Sequence, residues 1–224
     1  YGDRLLEKMN IYVIPRLNPD GSQAYVRVVP STKLNGNRDY LMARTVEIQA
    51  QHYVYNLFMP ELAIDGHEYT VDLANNNQAY KDMMMAGGYN GNSGAEFTEF
   101  TEDMIMRVIP QLQENGLDFS FYTNIANNNY SVSGAMYAGL RGSISFLLES
   151  RGIGFGNFTM DRRVISHLIT LDTIFEYAYT NTEDVQAASD VERQRIINNG
   201  LTYEDSDVLV VAHKKVSDER LAHT

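Results

Sequence analysis

The sequence predicts an α/β fold of three layers, in which a mostly parallel mixed sheet lies between two layers of helices. Short apolar runs that suit buried strands alternate along the chain with longer segments of helical periodicity. Such alternation is typical of a sheet that carries helices on both faces. The 224 residues suffice for one large domain with a short appendage.

Four runs are predicted as strands because they are short, rich in apolar residues and bounded by turn-forming residues. They are residues 10–17, 61–65, 118–123 and 143–149. The first run leads into Asn18-Pro19-Asp20-Gly21, whose residues favour a tight turn. The last run is apolar enough for a central strand of the sheet.

Four segments are predicted as helices. Thr45 is the expected N-cap of a helix that ends before Pro60. Further helices are expected over residues 96–112 and 161–179, and a polar helix from residue 181. The methionines at positions 83–85, 104 and 106 are expected to pack in the core. We therefore expect residues 1–180 to be the C-terminal part of one domain, and residues 181–224 to be a helical extension or the start of a further element.

Composition excludes several classes of function. The formal net charge is −11 and no run of Lys or Arg could follow a phosphate backbone, so nucleic acid is not an expected partner. The longest apolar stretches are far shorter than the roughly 20 residues that cross a bilayer, so no membrane span is expected. The chain has no cysteine, so any metal must be held by histidine and carboxylate side chains.

Polar motifs follow the predicted strands, where ligands bind in open α/β sheets. They are NPDG at residues 18–21, DGHEY at 65–69 and LLESRG at 147–152, with NRDY at 37–40 between the first two. In this order, over roughly residues 10 to 178, the motifs resemble the M14 family of zinc carboxypeptidases. The resemblance implies a zinc-exopeptidase-like fold and hydrolysis of a peptide or amide bond, with a peptide or an acyl-amino acid as substrate.

Two residues carry the chemistry that the resemblance implies. His67 corresponds to a zinc ligand, and the alternative is a hydrogen-bonded structural histidine. Glu149 corresponds to the glutamate that takes a proton from the attacking water and passes it to the leaving amine. The alternative for Glu149 is an ion pair with the nearby Arg151 at the end of the strand.

Two further residues correspond to the pair that grips the terminal carboxylate of the substrate. These are Asn37 and Arg38, and a guanidinium can hold a carboxylate through two parallel hydrogen bonds. The alternative is an ordinary surface turn. Asp39 departs from the asparagine that is common in digestive members of the family, so the detailed chemistry of this pocket stays open.

Arg27 corresponds to the arginine that polarises the scissile carbonyl and stabilises its oxyanion. The alternative for Arg27 is an exposed arginine on a strand. Tyr130 corresponds to the tyrosine that covers the bound substrate, and Tyr137 competes with it for that role.

One expected element of the zinc site is missing from the sequence. The resembling enzymes bind zinc through H-x-x-E from an earlier loop together with the later histidine, which makes three protein ligands. This sequence contains no H-x-x-E. We interpret the chain as N-terminally truncated, with one zinc ion in the intact protein. The fragment itself is expected to bind zinc weakly or not at all and to be inactive alone.

The sequence therefore predicts a zinc-dependent hydrolase. The favoured interpretation is a metallocarboxypeptidase, which releases a C-terminal residue. Two alternatives stay open: a non-catalytic binding protein that retains the fold, and an amidohydrolase or deacylase of the same fold. The resemblance also suggests a periplasmic or extracellular location. Nothing in the sequence indicates the oligomeric state.

Overall fold

The computed structural model describes residues 2–70, 81–89, 91–122, 133–153, 156–202 and residue 204. The helices are α1 (Gly2–Leu6), α2 (Pro19–Gln23), α3 (Val46–Phe58), α4 (Ala95–Glu114), α5 (Gly134–Gly139), α6 (Met160–Thr180) and α7 (Thr182–Leu201), with a 3-10 turn at Gly36–Arg38. The strands are β1 (Leu62–Thr70), β2 (Met83–Gly87), β3 (Phe119–Phe121) and β4 (Ile144–Ile153).

The strands form one mixed sheet in the order β1-β4-β2-β3. β1 runs parallel to β4 and β2 runs parallel to β3, whereas β2 and β4 are antiparallel. Two of these three pairings are therefore parallel, and helices cover the sheet. This confirms the predicted α/β class and the mostly parallel mixed sheet.

Side chains alternate between the two faces of β4, and this alternation separates the core from the polar face. Ile144, Phe146 and Leu148 are fully buried in a cluster with residues of β2, α4 and α6. Ser145 points the other way, where its hydroxyl donates to the carbonyl of Ala135 in α5 at 2.7 Å. The face that carries Ser145 also carries Glu149, two pleats further along the strand.

The helices that the periodicity predicted are all present. α3 ends at Phe58, and the capping residue Met59 adopts a left-handed conformation with φ of 43° directly before Pro60. α4 and α6 turn their apolar sides to the core through residues such as Ile105 and Ile174. Met83, Met84, Met85 and Met104 are buried, as expected, although the first three lie in a strand that the sequence did not predict. The expectation is wrong for Met106, which is 54% exposed on α4.

The predicted strand over residues 10–17 is wrong. The segment has no regular secondary structure, and Val13 is 73% exposed. Tyr12 in this segment stacks on Phe58 of α3, with ring centroids 3.7 Å apart. A run of β-forming residues becomes a strand only when a neighbouring strand satisfies its backbone hydrogen bonds, and no described strand lies beside this segment.

Two other predicted strands are longer than expected. β1 continues to Thr70 and β4 to Ile153, so DGHEY and the Glu149 motif lie within strands and not in the loops after them. The cause is that the two strands pair with each other over their whole length, which supplies backbone partners to polar residues of low β-propensity.

α7 packs on the rest of the described structure. Val185 is buried in the core cluster, and the hydroxyl of Ser189 donates to the carbonyl of Gly142 at 2.6 Å. The guanidinium of Arg193 donates to the carbonyls of Met59 and Pro60, each at 2.8 Å. The division of the chain at residue 180 stays a prediction, and the apolar run at residues 208–211 lies outside the described residues. Among the described helices, none combines the length and the apolar character that crossing a membrane requires.

Candidate functional site

The site begins with the pairing of β1 and β4. Because the two strands are parallel and in register, His67 of β1 lies beside Glu149 of β4. Both side chains project from the face of the sheet opposite the apolar core, since Leu148 on the neighbouring position of β4 faces that core. The sheet thus holds an imidazole and a carboxylate side by side on a rigid surface.

Glu149 is a buried carboxyl group with an unused oxygen. The residue is 9% exposed, and its Oε2 atom is buried with no hydrogen-bond partner among the described residues. Burial raises the pKa of Glu149 to about 7, with the negative charge of Asp65 adding to the rise, although the positive charges of His67, Arg27 and Arg38 oppose it. A carboxyl group with such a pKa can both accept and return a proton near neutral pH.

His67 is held by two polar side chains. Its Nε2 atom lies 2.8 Å from Oδ1 of Asp65 and 3.2 Å from Nδ2 of Asn37. Burial by itself would lower the pKa of His67, but the hydrogen bond and charge of Asp65, together with the charge of Glu149, outweigh burial and raise it. The ring is therefore fixed in place by a carboxylate that lies two residues earlier on the same face of β1.

Asn37 connects the site to α5. Its side-chain oxygen accepts a hydrogen bond from the backbone N–H of Gly134 at 2.9 Å, which turns its amide nitrogen towards His67. The turn that carries Asn37 begins at Asn35, whose side chain accepts from the N–H of Asn37 at 3.1 Å. The neighbouring Arg38 is exposed and donates to the carbonyl of Asn37 at 2.6 Å.

Arg27 contributes positive charge to the site of His67 and Glu149 from a different segment of the chain. It lies in the exposed loop after α2, and its positive charge acts on both His67 and Glu149. The NPDG motif starts α2: Asn18 caps the helix by accepting from the N–H of Gly21 at 3.0 Å. A Cβ atom on Gly21 would lie 2.2 Å from the Asn18 side chain, so only glycine permits this cap.

Five of the six predicted site residues are thus brought together: His67, Glu149, Asn37, Arg38 and Arg27. The sixth, Tyr130, lies outside the described residues. Its competitor Tyr137 stacks on His52 with ring centroids 4.5 Å apart, and its hydroxyl accepts from Arg141 at 3.2 Å. The functional roles of all six residues stay predictions.

The structure also shows where Arg151, the alternative partner of Glu149, and Asp39 of the NRDY motif lie. Arg151 forms its ion pair with Asp82, at 3.8 Å, and not with Glu149. Asp39 is 1% exposed and accepts from the N–H of Thr45 at 2.8 Å and from Arg44 at 3.2 Å. Asp39 therefore stabilises the loop before α3 through these hydrogen bonds.

The described residues do not by themselves form a metal centre. Within them, no three His, Cys, Asp or Glu side chains are placed so that together they could hold a metal ion. A catalytic zinc ion takes three protein ligands, and the strand pairing places one of the described histidines, His67, beside Glu149. A complete site would need donors from beyond the part of the chain that the structure describes.

Sequence reasoning missed Asp65. It belongs to the DGHEY motif, but no role was predicted for it because the strand was expected to end there. The signal was present: positions i and i+2 of a strand share a face, so a β1 that continues through the motif must place Asp65 next to His67.

Comparison with known proteins gives sequence relatives and a solved structure. The chain is 27% identical over 198 residues to carboxypeptidase 2 of Trichophyton rubrum, covering 81% of this chain and 37% of that protein. The same identity holds for probable carboxypeptidase 2 of Trichophyton verrucosum, of which the chain covers 38%. The chain therefore spans well under half the length of the curated relatives it matches. No family model matches it.

The fold of the chain is also similar to that of a solved structure. The crystal structure of a metallo-carboxypeptidase from Burkholderia cenocepacia matches with a TM-score of 0.54 and 18% identity. The match covers 81% of this chain and 48% of that one. Sequence and fold together confirm the resemblance to carboxypeptidases, and the chain has the fold of a metallo-carboxypeptidase.

Proposed function

We propose that the protein hydrolyses a peptide or amide bond as a zinc-dependent metallocarboxypeptidase and releases a C-terminal residue. The observation that carries the proposal is the pairing of His67 and Glu149 on one face of the sheet, with Arg27, Asn37 and Arg38 around them. The names of the relatives support the same activity.

Glu149 is the proposed general base and acid. Its buried, unpartnered Oε2 is available to a water molecule, and its pKa of about 7 suits acceptance of the water's proton and later donation to the leaving amine. Proton transfer of this kind contributes about 10²–10⁴-fold to a hydrolytic rate.

Positive charge beside Glu149 suits an anionic substrate. The guanidinium of Arg38 is exposed and would take the terminal carboxylate, with the amide of Asn37 as a second donor. Arg27 would stabilise the negative charge that develops on the carbonyl oxygen during attack. Binding and charge stabilisation are thus assigned to separate arginines on separate loops.

A metal is proposed because the structural neighbour is a metallo-carboxypeptidase, and zinc is the proposed metal because the motifs resemble those of zinc carboxypeptidases. His67 is the ligand that this chain would contribute. When bound, the metal would polarise the carbonyl and acidify water. The proton transfer and the recognition of the carboxylate assigned above belong to the chain's own side chains.

Hydrolysis of matched peptides tests the proposal. The complete natural protein is incubated with zinc and either a peptide with a free C-terminus or the same peptide as its C-terminal amide, and released amino acids are quantified. We expect release of the last residue from the free-acid peptide. Cleavage of both at equal rates would favour an amidohydrolase, and cleavage of neither by a zinc-loaded protein would contradict the proposed function.

A further inference from the structure

A cleft lies between β1, α3 and α5, next to the residues proposed to hold the terminal carboxylate. Its lining includes Gly134, whose backbone N–H donates to the side chain of Asn37 at 2.9 Å. The empty space of the cleft is about 360 Å³, part of it open to solvent, which leaves room for one amino-acid side chain. A residue whose carboxylate is held by Asn37 would therefore have its side chain next to this cleft.

The space in the cleft depends on the absence of a side chain at Gly134. A Cβ atom there would lie 2.8 Å from both Oδ2 of Asp65 and the hydroxyl oxygen of Tyr40, which also line the cleft. Glycine therefore leaves the region beside these two polar groups open.

Two polar atoms of lining residues are buried and have no hydrogen-bond partner among the described residues. They are Oδ2 of Asp65 and Nε2 of His52. The other carboxylate oxygen of Asp65 lies 2.8 Å from His67, so Oδ2 is the oxygen that a ligand could use. An unsatisfied buried acceptor costs about 1–3 kcal/mol, and more when it is charged. A ligand that donates a hydrogen bond to Oδ2 would remove this cost.

The charge of the lining favours a cation. Among the described residues that line the cleft, Asp65 carries a negative charge and none is Lys or Arg. Burial and the positive charge of Arg141 lower the pKa of His52, although the negative charge of Asp39 opposes them, so His52 adds no positive charge at neutral pH. The hydroxyl of Tyr40 already donates to Gln51, so its oxygen remains as an acceptor.

Aromatic rings form part of the same lining. Tyr137 stacks on His52 with ring centroids 4.5 Å apart, and Tyr40 lies 5.8 Å from each of them. Such surfaces suit a side chain that has an aliphatic stem and a positive end, because the stem packs on the rings while the charged end reaches a carboxylate.

We propose that this cleft holds the side chain of the released residue, and that Asp65 selects there for a terminal ammonium group, as in lysine. The ammonium donates to Oδ2 of Asp65, and its methylene groups lie against Tyr40 and Tyr137. This assignment rests on the proposed function, in which Asn37 and Arg38 hold the carboxylate of the same residue. Asp65 is thus a specificity-determining residue.

Binding of two matched ligands tests the proposal without turnover. Nα-acetyl-norleucine has the free carboxylate and the four-carbon side chain of Nα-acetyl-lysine but no ammonium group. NMR titration of this 224-residue protein is expected to give a Kd about tenfold or more lower for the lysine derivative, because a hydrogen bond to a charged group contributes about 1.5–3 kcal/mol. In the complete natural protein loaded with zinc, kcat/KM should favour peptides that end in lysine over those that end in norleucine by a similar factor.

The ratio between the two ligands is the measurement that isolates Asp65. Asp65→Asn is expected to bring the ratio close to one, even where contact with His67 changes the absolute rates. Glu68→Gln, on the opposite face of β1, should leave the ratio unchanged. If Asp65→Asn fails to fold, the comparison of the two ligands in the wild-type protein still decides.

Three results would overturn the assignment of the cleft: equal binding of the two ligands, no detectable binding of the lysine derivative, or a preference for lysine that survives Asp65→Asn. Hydrolysis of both peptides at equal kcat/KM would also overturn it and leave the proposed function intact. Selective, Asp65-dependent binding of the lysine derivative without any hydrolysis would contradict the proposed function alone.

Discussion

His67 and Glu149 are direct neighbours across two parallel strands, and both project from the polar face of the sheet. Strand pairing of this kind fixes their separation far more tightly than two loops could, because each backbone is held by a ladder of hydrogen bonds. A shared water or substrate atom between them therefore needs little rearrangement of the backbone. The arrangement also explains the raised pKa of Glu149, since the same packing that fixes it removes it from water.

Replacing Glu149 by glutamine is expected to lower kcat by about 10²–10⁴-fold, because the amide keeps the shape but cannot accept a proton. Metal binding should survive. Glu68→Gln is the matched control, since Glu68 lies on the opposite face of β1, where it pairs with Arg163 at 3.4 Å. Kinetics and zinc titration of both variants check this. Equal loss in both variants would mean that the effect is structural.

Replacing Arg38 by lysine is expected to raise KM for peptides with a free terminal carboxylate, with a smaller change in kcat. The charge remains, but lysine cannot offer two parallel hydrogen bonds to one carboxylate. Arg107→Lys is the control, because Arg107 lies on α4 and stacks over Tyr177 at 4.6 Å. The measurement compares kcat/KM for a peptide and its C-terminal amide. An unchanged ratio in Arg38→Lys would show that Arg38 is not the carboxylate anchor.

Zinc binding by this 224-residue chain is expected to be weak or absent, because a stable site takes three protein ligands and the described residues contain no three suitable side chains placed together. Any binding at the site should depend on His67. Calorimetric titration of wild type, His67→Ala and His52→Ala checks both statements. Tight binding that survives His67→Ala would place the metal elsewhere.

Asp82 is expected to stabilise the fold in a pH-dependent way. It is 5% exposed and accepts from Arg162 at 2.6 and 2.7 Å and from the N–H of Asp118 at 2.8 Å. Burial alone would raise the pKa of Asp82, but these hydrogen bonds outweigh it, so the pKa is lowered from 3.8. We expect Asp82→Asn to lower the free energy of unfolding by about 2 kcal/mol at neutral pH.

The sign of the pH effect follows from the lowered pKa. A carboxyl group that is more acidic in the folded state contributes stability above its unfolded pKa, and that contribution is lost as the pH falls through the folded value. The difference between wild type and Asp82→Asn should therefore shrink below pH 3.8. Urea unfolding across this range measures it, with Asp103→Asn, exposed on α4, as control. A difference that stays constant at low pH would contradict the ionic role.

Gly134 is expected to tolerate no larger residue. A Cβ atom there would lie 2.8 Å from both Oδ2 of Asp65 and the hydroxyl oxygen of Tyr40. Gly134→Ala should therefore displace one of them and destabilise the protein by about 1–3 kcal/mol. Gly66→Ala on β1 is the control, because a Cβ atom there meets nothing within 4 Å. Thermal unfolding compares the two, and equal effects would show that crowding at Gly134 is relieved without cost.

Local patterns predicted much of the fold. The periodicity of α4 and α6 and the end of α3 before Pro60 are properties of short segments, and the structure has them as expected. The motifs likewise indicated His67 and Glu149, because the chemistry of those residue types is evident from the sequence. The prediction of a strand over residues 10–17 was wrong because it depends on more than a local pattern. Whether this segment becomes a strand depends on a neighbouring strand, which its own residues do not specify.

The sequence by itself determined the α/β class, the order of most elements and the residue types at the site. Only the tertiary structure decided that β1 and β4 continue through their motifs and that Asp65 therefore contacts His67. It also decided that Arg151 pairs with Asp82, which leaves Glu149 without a counter-ion from its own strand. The raised pKa of Glu149 also depends on the tertiary structure, because it is caused mainly by burial under segments distant in the chain. Periodicity records how a segment divides between core and solvent, whereas pKa values and hydrogen-bond partners depend on long-range contacts that form only when the sheet assembles.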